Sequence, residues 1–330
     1  MNQRFFLVTG ATGFIGSALV RALVTNGHRV RALDDESRGS RHRLREQESE
    51  IEWIQGDVRD AATVMRAVKG VEAVCHLAAV NGTEFFYTRP ELVLEVAVKG
   101  MINVLDACIE NGVGELFVAS SSEVYQTPPE VPTDESVPLS IPDPRNPRYS
   151  YGGGKIISEL LTVNYGRKKL RRAVIFRPHN VYGPDMGWEH VIPQFVLRMQ
   201  EICKQTKGAI TFPIQGSGME TRSFVFIDDM IAGLLKVIEK GEHLGIYHIG
   251  TDAEVTIKEL AQEVASYFDR EIQIAPGQLT AGSPLRRCPN IKRLRALGYT
   301  PVVSLKQGLA ATIPWYMDNA DKNRSPNRTL

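Results

Sequence analysis

The chain has 330 residues, of which 43% are hydrophobic, so it can bury a large core in one large domain or two modest ones. Its 39 basic and 38 acidic residues nearly cancel, which argues against nucleic acid or a membrane surface as a partner. No apolar stretch is long enough to span a membrane, and we expect no signal peptide. The four cysteines lie far apart without metal-ligand spacing, so we expect reduced thiols, no metal site and a cytoplasmic protein.

A glycine-rich turn follows the first predicted strand, residues 5–8, and precedes a helical pattern that begins near residue 15. Its sequence is TGATGFIG, residues 9–16, in the strand–turn–helix context of a dinucleotide-binding fingerprint. Gly10 permits the tight turn, Gly13 lets the backbone approach a pyrophosphate, and Gly16 lets the helix pack closely on the strand. The amides at the helix start are then expected to face the phosphates.

The second predicted strand, residues 28–33, ends at Asp34. A carboxylate at this strand end can accept hydrogen bonds from both hydroxyls of the cofactor ribose, and it would repel a 2′-phosphate. The sequence therefore predicts NAD as the cofactor in preference to NADP.

Strand and helix patterns alternate through the first half of the chain. They predict a strand end at residues 52–57, a helix over 61–68, a buried strand over 71–77, a long helix over 92–109 and a strand over 116–119. This alternation is typical of the α/β class, with a doubly wound parallel sheet of the Rossmann type. Because ligands bind at the carboxyl ends of such strands, we expect the site near Asp34, Asp57 and residues 77–79 and 120–122.

The second half of the chain is less regular. A stretch rich in Pro, Asp and Ser, residues 127–148, predicts a surface loop, and a helix over 150–166 and a strand over 173–176 follow. Further helices are predicted over 190–203, 228–240 and 256–268, with short strands over 210–214 and 246–249. We expect a dinucleotide-binding domain over residues 1–177 and a smaller α/β substrate lobe over 178–330, some segments of which return to the sheet.

Two motifs carry groups suited to hydride chemistry. SSSEVY, residues 120–125, follows a predicted strand, and YGGGK, residues 151–155, opens a helix. Tyr151 and Lys155 are four residues apart and therefore share one helix face. We expect the ammonium to lower the pKa of the phenol, so that the phenolate acts as a base while Ser121 shares the hydrogen of the substrate hydroxyl. Beside a bound nicotinamide, this set predicts hydride removal from a carbinol.

These motifs make the chain similar to the extended short-chain dehydrogenase/reductase family, in particular to its nucleotide-sugar epimerases and dehydratases. The resemblance covers nearly the whole chain and also rests on HLAA at 76–79, RPHNVYGPD at 177–185, TRSFVFIDD at 221–229 and GSPLRR at 282–287. It implies a tightly held NAD in the first lobe, a nucleotide-diphosphate sugar in the second, and a homodimer paired through the helices 92–111 and 150–166. The chain departs from the family at Ala97, where asparagine is frequent.

The resemblance also implies roles for individual residues. The expected cofactor-binding set is Gly10, Thr12, Gly13, Phe14, Ile15, Gly16, Asp34, Asp57, Val58, Leu77, Ala78, Ala79, Tyr151 and Lys155. The expected catalytic set is Ser121, Ser122, Glu123, Tyr151 and Lys155. On the substrate side, the candidates are Asn180, Arg222 and Arg287 for the diphosphate, since an arginine fork matches phosphate oxygens, and His190 and Gln194 for the nucleotide.

Glu123 is the position that discriminates most between reactions. Plain 4-epimerases of this family usually carry a small or neutral residue there, whereas relatives with a carboxylate act beyond C4. A 4-keto group acidifies the neighbouring C5–H, and a carboxylate is a competent base for it. We therefore expect an enzyme that works through a 4-keto-hexose, with Glu123 as the C5 base of a 4,6-dehydratase-like or C5-epimerising reaction.

Other reactions stay open on the sequence. Ser122 stands where some hexose dehydratases carry an aspartate, and a Ser-Glu pair also resembles GDP-mannose 4,6-dehydratases and UDP-glucuronate decarboxylases. The alternatives are decarboxylation of a nucleotide hexuronate and 4-epimerisation. A simple alcohol or ketone reductase, or an NAD-binding scaffold without turnover, is less favoured because the arginines suit a diphosphate and the Ser, Tyr and Lys of the motifs are all present.

Overall fold

A computed structural model describes residues 3–278 and 284–321 of the chain. Its strands are β1 Phe5–Thr9, β2 Arg29–Asp34, β3 Ile51–Gln55, β4 Ala73–His76, β5 Glu115–Ala119, β6 Arg172–Pro178, β7 Val181–Tyr182, β8 Ile210–Pro213, β9 Thr221–Ser223, β10 Val225–Phe226, β11 Ile246–Ile249, β12 Glu254–Thr256, β13 Ile272–Ala275 and β14 Arg286–Arg287. Its α-helices are α1 Phe14–Thr25, α2 Ala61–Val68, α3 Thr83–Thr88, α4 Pro90–Glu110, α5 Ser150–Lys169, α6 Val191–Gln205, α7 Ile227–Lys240, α8 Ile257–Tyr267, α9 Lys292–Ala296 and α10 Leu305–Asp318. Residues 282 and 283 of the GSPLRR motif lie outside the described residues.

Seven strands form one parallel sheet in the order β11-β6-β5-β4-β1-β2-β3. The strands β1, β4 and β5 are apolar runs buried along their whole length, as expected for a parallel sheet with both faces covered. The strand order reverses where β1 and β4 lie side by side, and this switch point opens a crevice at their carboxyl ends. The predicted Rossmann-type doubly wound sheet is confirmed.

The helix boundaries follow from the residues at their ends. α2 covers the predicted 61–68, and it begins where the side chain of Asp60 accepts a hydrogen bond from the second amide of the helix at 3.1 Å. α4 begins two residues earlier than predicted because Pro90 suits the first helical position. α5 continues to Lys169 instead of ending at residue 166, and the three basic residues of its last turn favour the negative end of the helix dipole.

The second half of the chain builds a smaller lobe and adds one strand to the large sheet. β11 pairs in parallel with β6, placing Ile246 opposite Ile175 and Ile249 opposite Pro178. The lobe itself holds the small sheets β12-β9-β14, β13-β8 and β10-β7. Because β11 belongs to both regions, the domain boundary after residue 177 stays a prediction.

Two classes of structure are missing from the part of the chain that is described. No helix within residues 3–278 and 284–321 is long and apolar enough to cross a membrane. In the same ranges, no cluster of three His, Cys, Asp or Glu side chains is placed to hold a metal ion. The cysteines at 75, 108, 203 and 288 are free thiols, and three of them are buried.

A buried ion pair joins the elements that carry the site motifs. The side chain of Arg177, at the end of β6, is 2% exposed and donates two hydrogen bonds to Glu159 of α5, at 2.8 and 2.6 Å. Ser120, directly after β5, donates to the same carboxylate, and Arg177 also donates to the hydroxyl of Tyr125. That hydroxyl lies 2.6 Å from Nε2 of His248 in β11. The network therefore fixes β5, β6, α5 and β11 relative to one another.

Glu159→Gln removes the charge that compensates a buried guanidinium, so we expect the free energy of unfolding to fall by about 3–5 kcal/mol. Urea unfolding followed by circular dichroism measures this change. Glu110→Gln replaces an exposed carboxylate at the end of α4 and serves as the control, with an expected change within about 0.5 kcal/mol. A loss of less than about 1 kcal/mol in Glu159→Gln, as for a surface pair, would contradict the role given to this network.

Candidate active site

Two adjoining cavities open at the carboxyl edge of the sheet, and Gly10 and Gly13 line both. The smaller cavity, about 110 Å³, is lined by the predicted cofactor residues Asp34, Asp57, Val58, Leu77, Ala78 and Ala79. The larger cavity, about 450 Å³, is lined by Phe14, Ile15, Gly16, Ser121, Ser122, Glu123, Tyr151, Lys155, Asn180, His190 and Arg287. Three predicted site residues lie outside both linings: Thr12, Gln194 and Arg222.

The glycine-rich turn has the geometry that its sequence predicts. Gly10 has a φ of 70°, and a Cβ there would lie 2.7 Å from the amide nitrogen of Ala78. A Cβ on Gly16 would lie 2.0 Å from the carbonyl oxygen of Gly10, so a side chain at position 16 would push α1 away from the turn. α1 begins after Gly13, and among the described residues no side chain caps its first amides, which fits a phosphate ligand.

Asp34 faces the smaller cavity from the end of β2. One carboxylate oxygen accepts a hydrogen bond from the amide of Thr12 at 2.9 Å, and the other accepts one from the amide of Glu36 at 2.8 Å. Burial raises the pKa of this carboxyl, and the two amides oppose that rise. Each oxygen keeps a lone pair for a ribose diol. Thr12 is fully buried and its amide orients Asp34, so its own contact with the cofactor stays a prediction.

Arg38 is a cavity residue that the sequence analysis did not single out. It lines the smaller cavity, donates to the carbonyl oxygen of Asn81 at 2.7 Å and lies 4.3 Å from the centroid of the Phe85 ring. These contacts join the loop after β2 to the loop after β4. They engage the guanidinium of a residue that lines the same cavity as Asp34.

Tyr151 and Lys155 both face the larger cavity from α5. The ammonium of Lys155 donates to the carbonyl oxygen of Ala119 at 2.7 Å and lies 5.8 Å from the centroid of the Tyr151 ring. Burial raises the pKa of Tyr151 to about 12, and a hydrogen bond with Ser121 offsets only part of this rise. The predicted lowering of that pKa is therefore wrong here, because the ammonium is directed at a backbone carbonyl. Burial also lowers the pKa of Lys155 to about 8.

Glu123 lies in a single turn of 3₁₀ helix, residues 122–125, directly after β5. Its carboxylate accepts a hydrogen bond from Nη1 of Arg287 at 2.6 Å. Burial by itself would raise the pKa of Glu123, but the positive charges of Arg287, Arg148 and Arg222 hold it below the ordinary value. The structure therefore presents an ionised carboxylate to the cavity at neutral pH, next to the predicted diphosphate-binding arginine.

The structure brings three of the predicted substrate-side residues to the larger cavity and leaves two of them outside its lining. Asn180, His190 and Arg287 line the larger cavity. Arg222 lies outside the lining and donates to the carbonyl of the preceding residue at 2.7 Å, and burial lowers its pKa to about 10. Gln194 also lies outside, where its side-chain amide donates at 2.7 Å to a backbone carbonyl in the loop before α6. This hydrogen bond closes the loop, and the place of Gln194 beside the nucleotide stays a prediction.

Gln126 is a second residue that the sequence analysis missed. Its φ of 55° and ψ of −99° are rare for a residue with a side chain. Its side-chain amide donates to the carbonyl oxygen of Glu123 at 2.6 Å. A Cβ on Gly152 would lie 2.5 Å from Nε2 of Gln126 and 2.9 Å from that carbonyl oxygen. The signal in the sequence that could have indicated this contact is Gly152. A glycine inside a helix lowers stability, so its presence there suggests that another group packs too closely for a side chain.

The fold and these cavities define a protein that binds a nicotinamide dinucleotide on a Rossmann sheet. Residues 6–250 match the NAD dependent epimerase/dehydratase family, and the chain belongs to this family. NAD is its cofactor, and the glycine turn and Asp34 fit that molecule.

Three similar proteins illustrate the range of this family. The chain is 30% identical over 322 residues to GDP-mannose 3,5-epimerase 1 of Oryza sativa subsp. japonica, covering 96% of this chain and 83% of that protein. It is 31% identical over 320 residues to UDP-glucuronic acid decarboxylase 6 of Arabidopsis thaliana, covering 93% and 89%. The crystal structure of DesIV, a dTDP-glucose 4,6-dehydratase from Streptomyces venezuelae with NAD bound, has a TM-score of 0.85 at 30% identity, covering 98% of this chain and 100% of that one.

Substituting alanine at Gly152 and at its neighbour Gly153 gives the same gain in helix propensity but different contacts for the new methyl group. The pair therefore distinguishes the effect of close packing from that of helix propensity. In Gly152→Ala the new methyl meets Gln126 and the backbone of Glu123, so we expect a loss of about 1–3 kcal/mol in unfolding free energy. In Gly153→Ala the methyl meets only the end of the Ile141 side chain at 3.3 Å, so we expect a gain of about 0.5–1 kcal/mol. Urea unfolding compares the two, and equal effects would contradict the packing described for Gly152.

Proposed function

We propose that this enzyme oxidises C4 of a nucleotide-activated hexose with its bound NAD, and that Glu123 then acts at C5 of the 4-keto intermediate. One observation carries the proposal: Ser121, Glu123, Tyr151 and Lys155 converge on one cavity beside the glycine turn. Support comes from the similar proteins, since an epimerase, a decarboxylase and a dehydratase of nucleotide sugars share the family. A simple reductase has less support, because Arg287 adds a diphosphate-type cation to the same cavity.

The first step takes a proton and a hydride from the C4 carbinol. Bound NAD supplies the hydride acceptor and a positively charged ring. Tyr151 accepts the hydroxyl proton, and the hydroxyl of Ser121 shares the hydrogen bond. Because burial raises the pKa of Tyr151 to about 12, the phenol needs nearby positive charge to act as a base. Lys155 is placed to provide it when its ammonium turns from the Ala119 carbonyl towards the ring.

The second step removes the C5 proton, which the 4-keto group has made acidic. Glu123 is ionised and lies in the same cavity, so it is the base. Loss of the C6 hydroxyl as water, followed by return of the hydride to C6, then gives a 4,6-dehydratase-like reaction. Return of the proton to the other face of C5, followed by return of the hydride to C4, gives C5 epimerisation. Decarboxylation of a nucleotide hexuronate is the second candidate. Arg287 favours it, because the pairing at 2.6 Å weakens Glu123 as a base, and decarboxylation needs no base at C5.

The diphosphate of the substrate is assigned to Arg287 and Asn180, which line the cavity from the second lobe. Arg222 is the register partner of Arg287 on the neighbouring strand, so it adds positive charge there, and it does not reach the lining. His190 borders the cavity where the nucleotide is expected.

We also propose that the chain forms a homodimer through α4 and α5. Leu94 on α4 and Ile157 and Leu160 on α5 are 37%, 39% and 58% exposed, and the two helices pack against each other. Exposed apolar side chains on one helix pair suit a second copy of the same surface. The cytoplasmic location stays a prediction based on the free cysteines.

Glu123→Gln and Tyr151→Phe separate the two proposed steps. With UDP-, GDP-, CDP- and dTDP-hexoses in heavy water, we expect Glu123→Gln to keep reducing the bound NAD while incorporation of deuterium at C5 falls by about 10²–10⁴-fold. Tyr151→Phe is expected to lose both reactions. Absorbance of reduced NAD and mass spectrometry of the product measure the two steps. Wild-type enzyme that leaves every nucleotide sugar unchanged would refute the proposal.

Arg287→Gln removes the leading positive charge beside Glu123, so the pKa of Glu123 is expected to rise. A base works in its ionised form, and its rate falls as the pH drops through its pKa. The acid limb of the C5 exchange rate at saturating substrate is therefore expected to move to higher pH. Arg286→Gln is the matched control, because Arg286 pairs with Glu254 and is exposed. An acid limb that stays in place in Arg287→Gln would disprove the coupling.

A further inference from the structure

Arg148 is a cation of the larger cavity for which the structure gives no acceptor. It lies in a single 3₁₀ turn, Pro147–Tyr149, immediately before α5, and its amide donates to the side chain of Asn146 at 3.0 Å. Its side chain lines the cavity together with Glu123. Its Nε is buried without a hydrogen-bond partner, and within residues 3–278 and 284–321 no carboxylate forms an ion pair with it.

Lys155 and Arg287, which also line this cavity, and Arg222, which lies outside its lining, are already engaged. Lys155 donates to a backbone carbonyl at 2.7 Å, Arg222 donates to another at 2.7 Å, and Arg287 donates to Glu123 at 2.6 Å. A guanidinium cannot lose its proton in a protein and presents five donors in a flat fork. An anion that enters the cavity would therefore find its unsatisfied partner at Arg148.

We propose that Arg148 binds a carboxylate carried by the sugar, so that the substrate is a nucleotide-activated hexuronate. This inference rests on the proposed function, in which Tyr151 acts at C4 and Glu123 at C5. Arg148 lines the same cavity as both and precedes Tyr151 by three residues. The group next to C5 is C6, which is the carboxylate of a hexuronate. Two carboxylate oxygens match the guanidinium fork, whereas the hydroxymethyl group of a neutral hexose brings one oxygen and no charge.

In the proposed function the diphosphate is assigned to other residues of the cavity. Arg287 and Asn180 belong to the second lobe, whereas Arg148 belongs to the first and lies with Glu123. The charges of Glu123 and Arg148 attract each other, but the hydrogen bond of the Glu123 carboxylate goes to Arg287. The donors of the Arg148 guanidinium are therefore left for the substrate.

A hexuronate substrate limits the reactions that are possible at C5. A hexuronate carries no hydroxyl at C6, so it cannot undergo the loss of water that defines a 4,6-dehydratase. The remaining reactions are C5 epimerisation and decarboxylation. In the latter, the C5–C6 bond of the 4-keto acid breaks, carbon dioxide leaves, the electron pair stays on C5 as the enolate of the C4 ketone, and water supplies the proton that C5 gains.

The test compares matched pairs of substrates on the NAD-loaded enzyme: UDP-glucose with UDP-glucuronate, GDP-mannose with GDP-mannuronate, and dTDP-glucose with dTDP-glucuronate. We expect the uronate of one pair to be turned over in preference to its neutral partner. Arg148→Gln is expected to lower kcat/KM for that uronate by at least about 30-fold, since truncating one side of a desolvated charge pair has effects of this size. Arg148→Lys, which keeps the charge without the fork, is expected to lose less.

Two controls make the result specific. Arg145→Gln changes an arginine of the same loop that is 89% exposed and paired with Asp143, and it is expected to stay within about two-fold of wild type. The Kd of the matching free nucleoside diphosphate is expected to be unchanged in Arg148→Gln. If Arg148→Gln weakens binding of the nucleoside diphosphate by as large a factor as it lowers kcat/KM for the uronate, Arg148 is a diphosphate ligand and the inference is overturned.

The inference and the proposed function fail in different ways. Turnover of neutral hexoses with no turnover of any uronate would overturn the role of Arg148 and leave C4 oxidation in place. Absence of reduced NAD and of product with both members of every pair would overturn the proposed function, and the inference with it. Circular dichroism and urea unfolding of the Gln and Lys variants show whether a lost activity comes from a lost fold.

Discussion

The buried pair between Arg177 and Glu159 is the contact on which the geometry of the site depends. Its partners come from the ends of two neighbouring strands, from the helix that carries Tyr151 and Lys155, and from β11 of the second half. A buried ion pair adds little net stability compared with apolar packing, but breaking it leaves a charge without compensation. The ion pair instead favours one arrangement of these elements, because the donors of Arg177 and the oxygens of Glu159 find their partners only when the elements lie in this arrangement.

The charges of the cavity act as one system. The sequence predicts separate roles for Glu123 and Arg287, one as a base and the other as a phosphate ligand, and the structure places the two groups 2.6 Å apart. The basicity of Glu123 is therefore set by how strongly Arg287 is held elsewhere. In the proposed function, a phosphate oxygen that takes a donor from Arg287 would compete with Glu123, so occupation of the diphosphate subsite and reactivity at C5 would be linked through a single guanidinium.

Much of the fold could be predicted because its signals are local. The apolar runs and the turns between them place the strands of the sheet, and Asp60 and Pro90 mark two helix starts to within two residues. The glycine turn and the strand-end motifs likewise place most of the predicted site residues around two cavities, because strand ends in a parallel sheet meet at one edge.

The remaining features depend on contacts between distant parts of the chain. The direction of the Lys155 ammonium depends on the carbonyl at the end of β5, and the burial of Tyr151 depends partly on Phe86, whose ring stacks on it at 5.4 Å. Gln126 has a backbone conformation that the sequence does not indicate, since glutamine rarely adopts it. Arg148 is similar: a lone arginine in a polar loop gives no sign that its side chain faces a cavity.

The seventh strand of the sheet has a mechanical consequence. Because Ile246–Ile249 continues the sheet beyond β6, main-chain hydrogen bonds join a segment of the second half of the chain to the sheet of the first half. A chain cut before residue 246 would leave β6 as a sheet edge with unpaired backbone groups from residue 175 to 178, and such an edge invites aggregation. The first half of the chain therefore relies on the second half to cover one edge of its sheet.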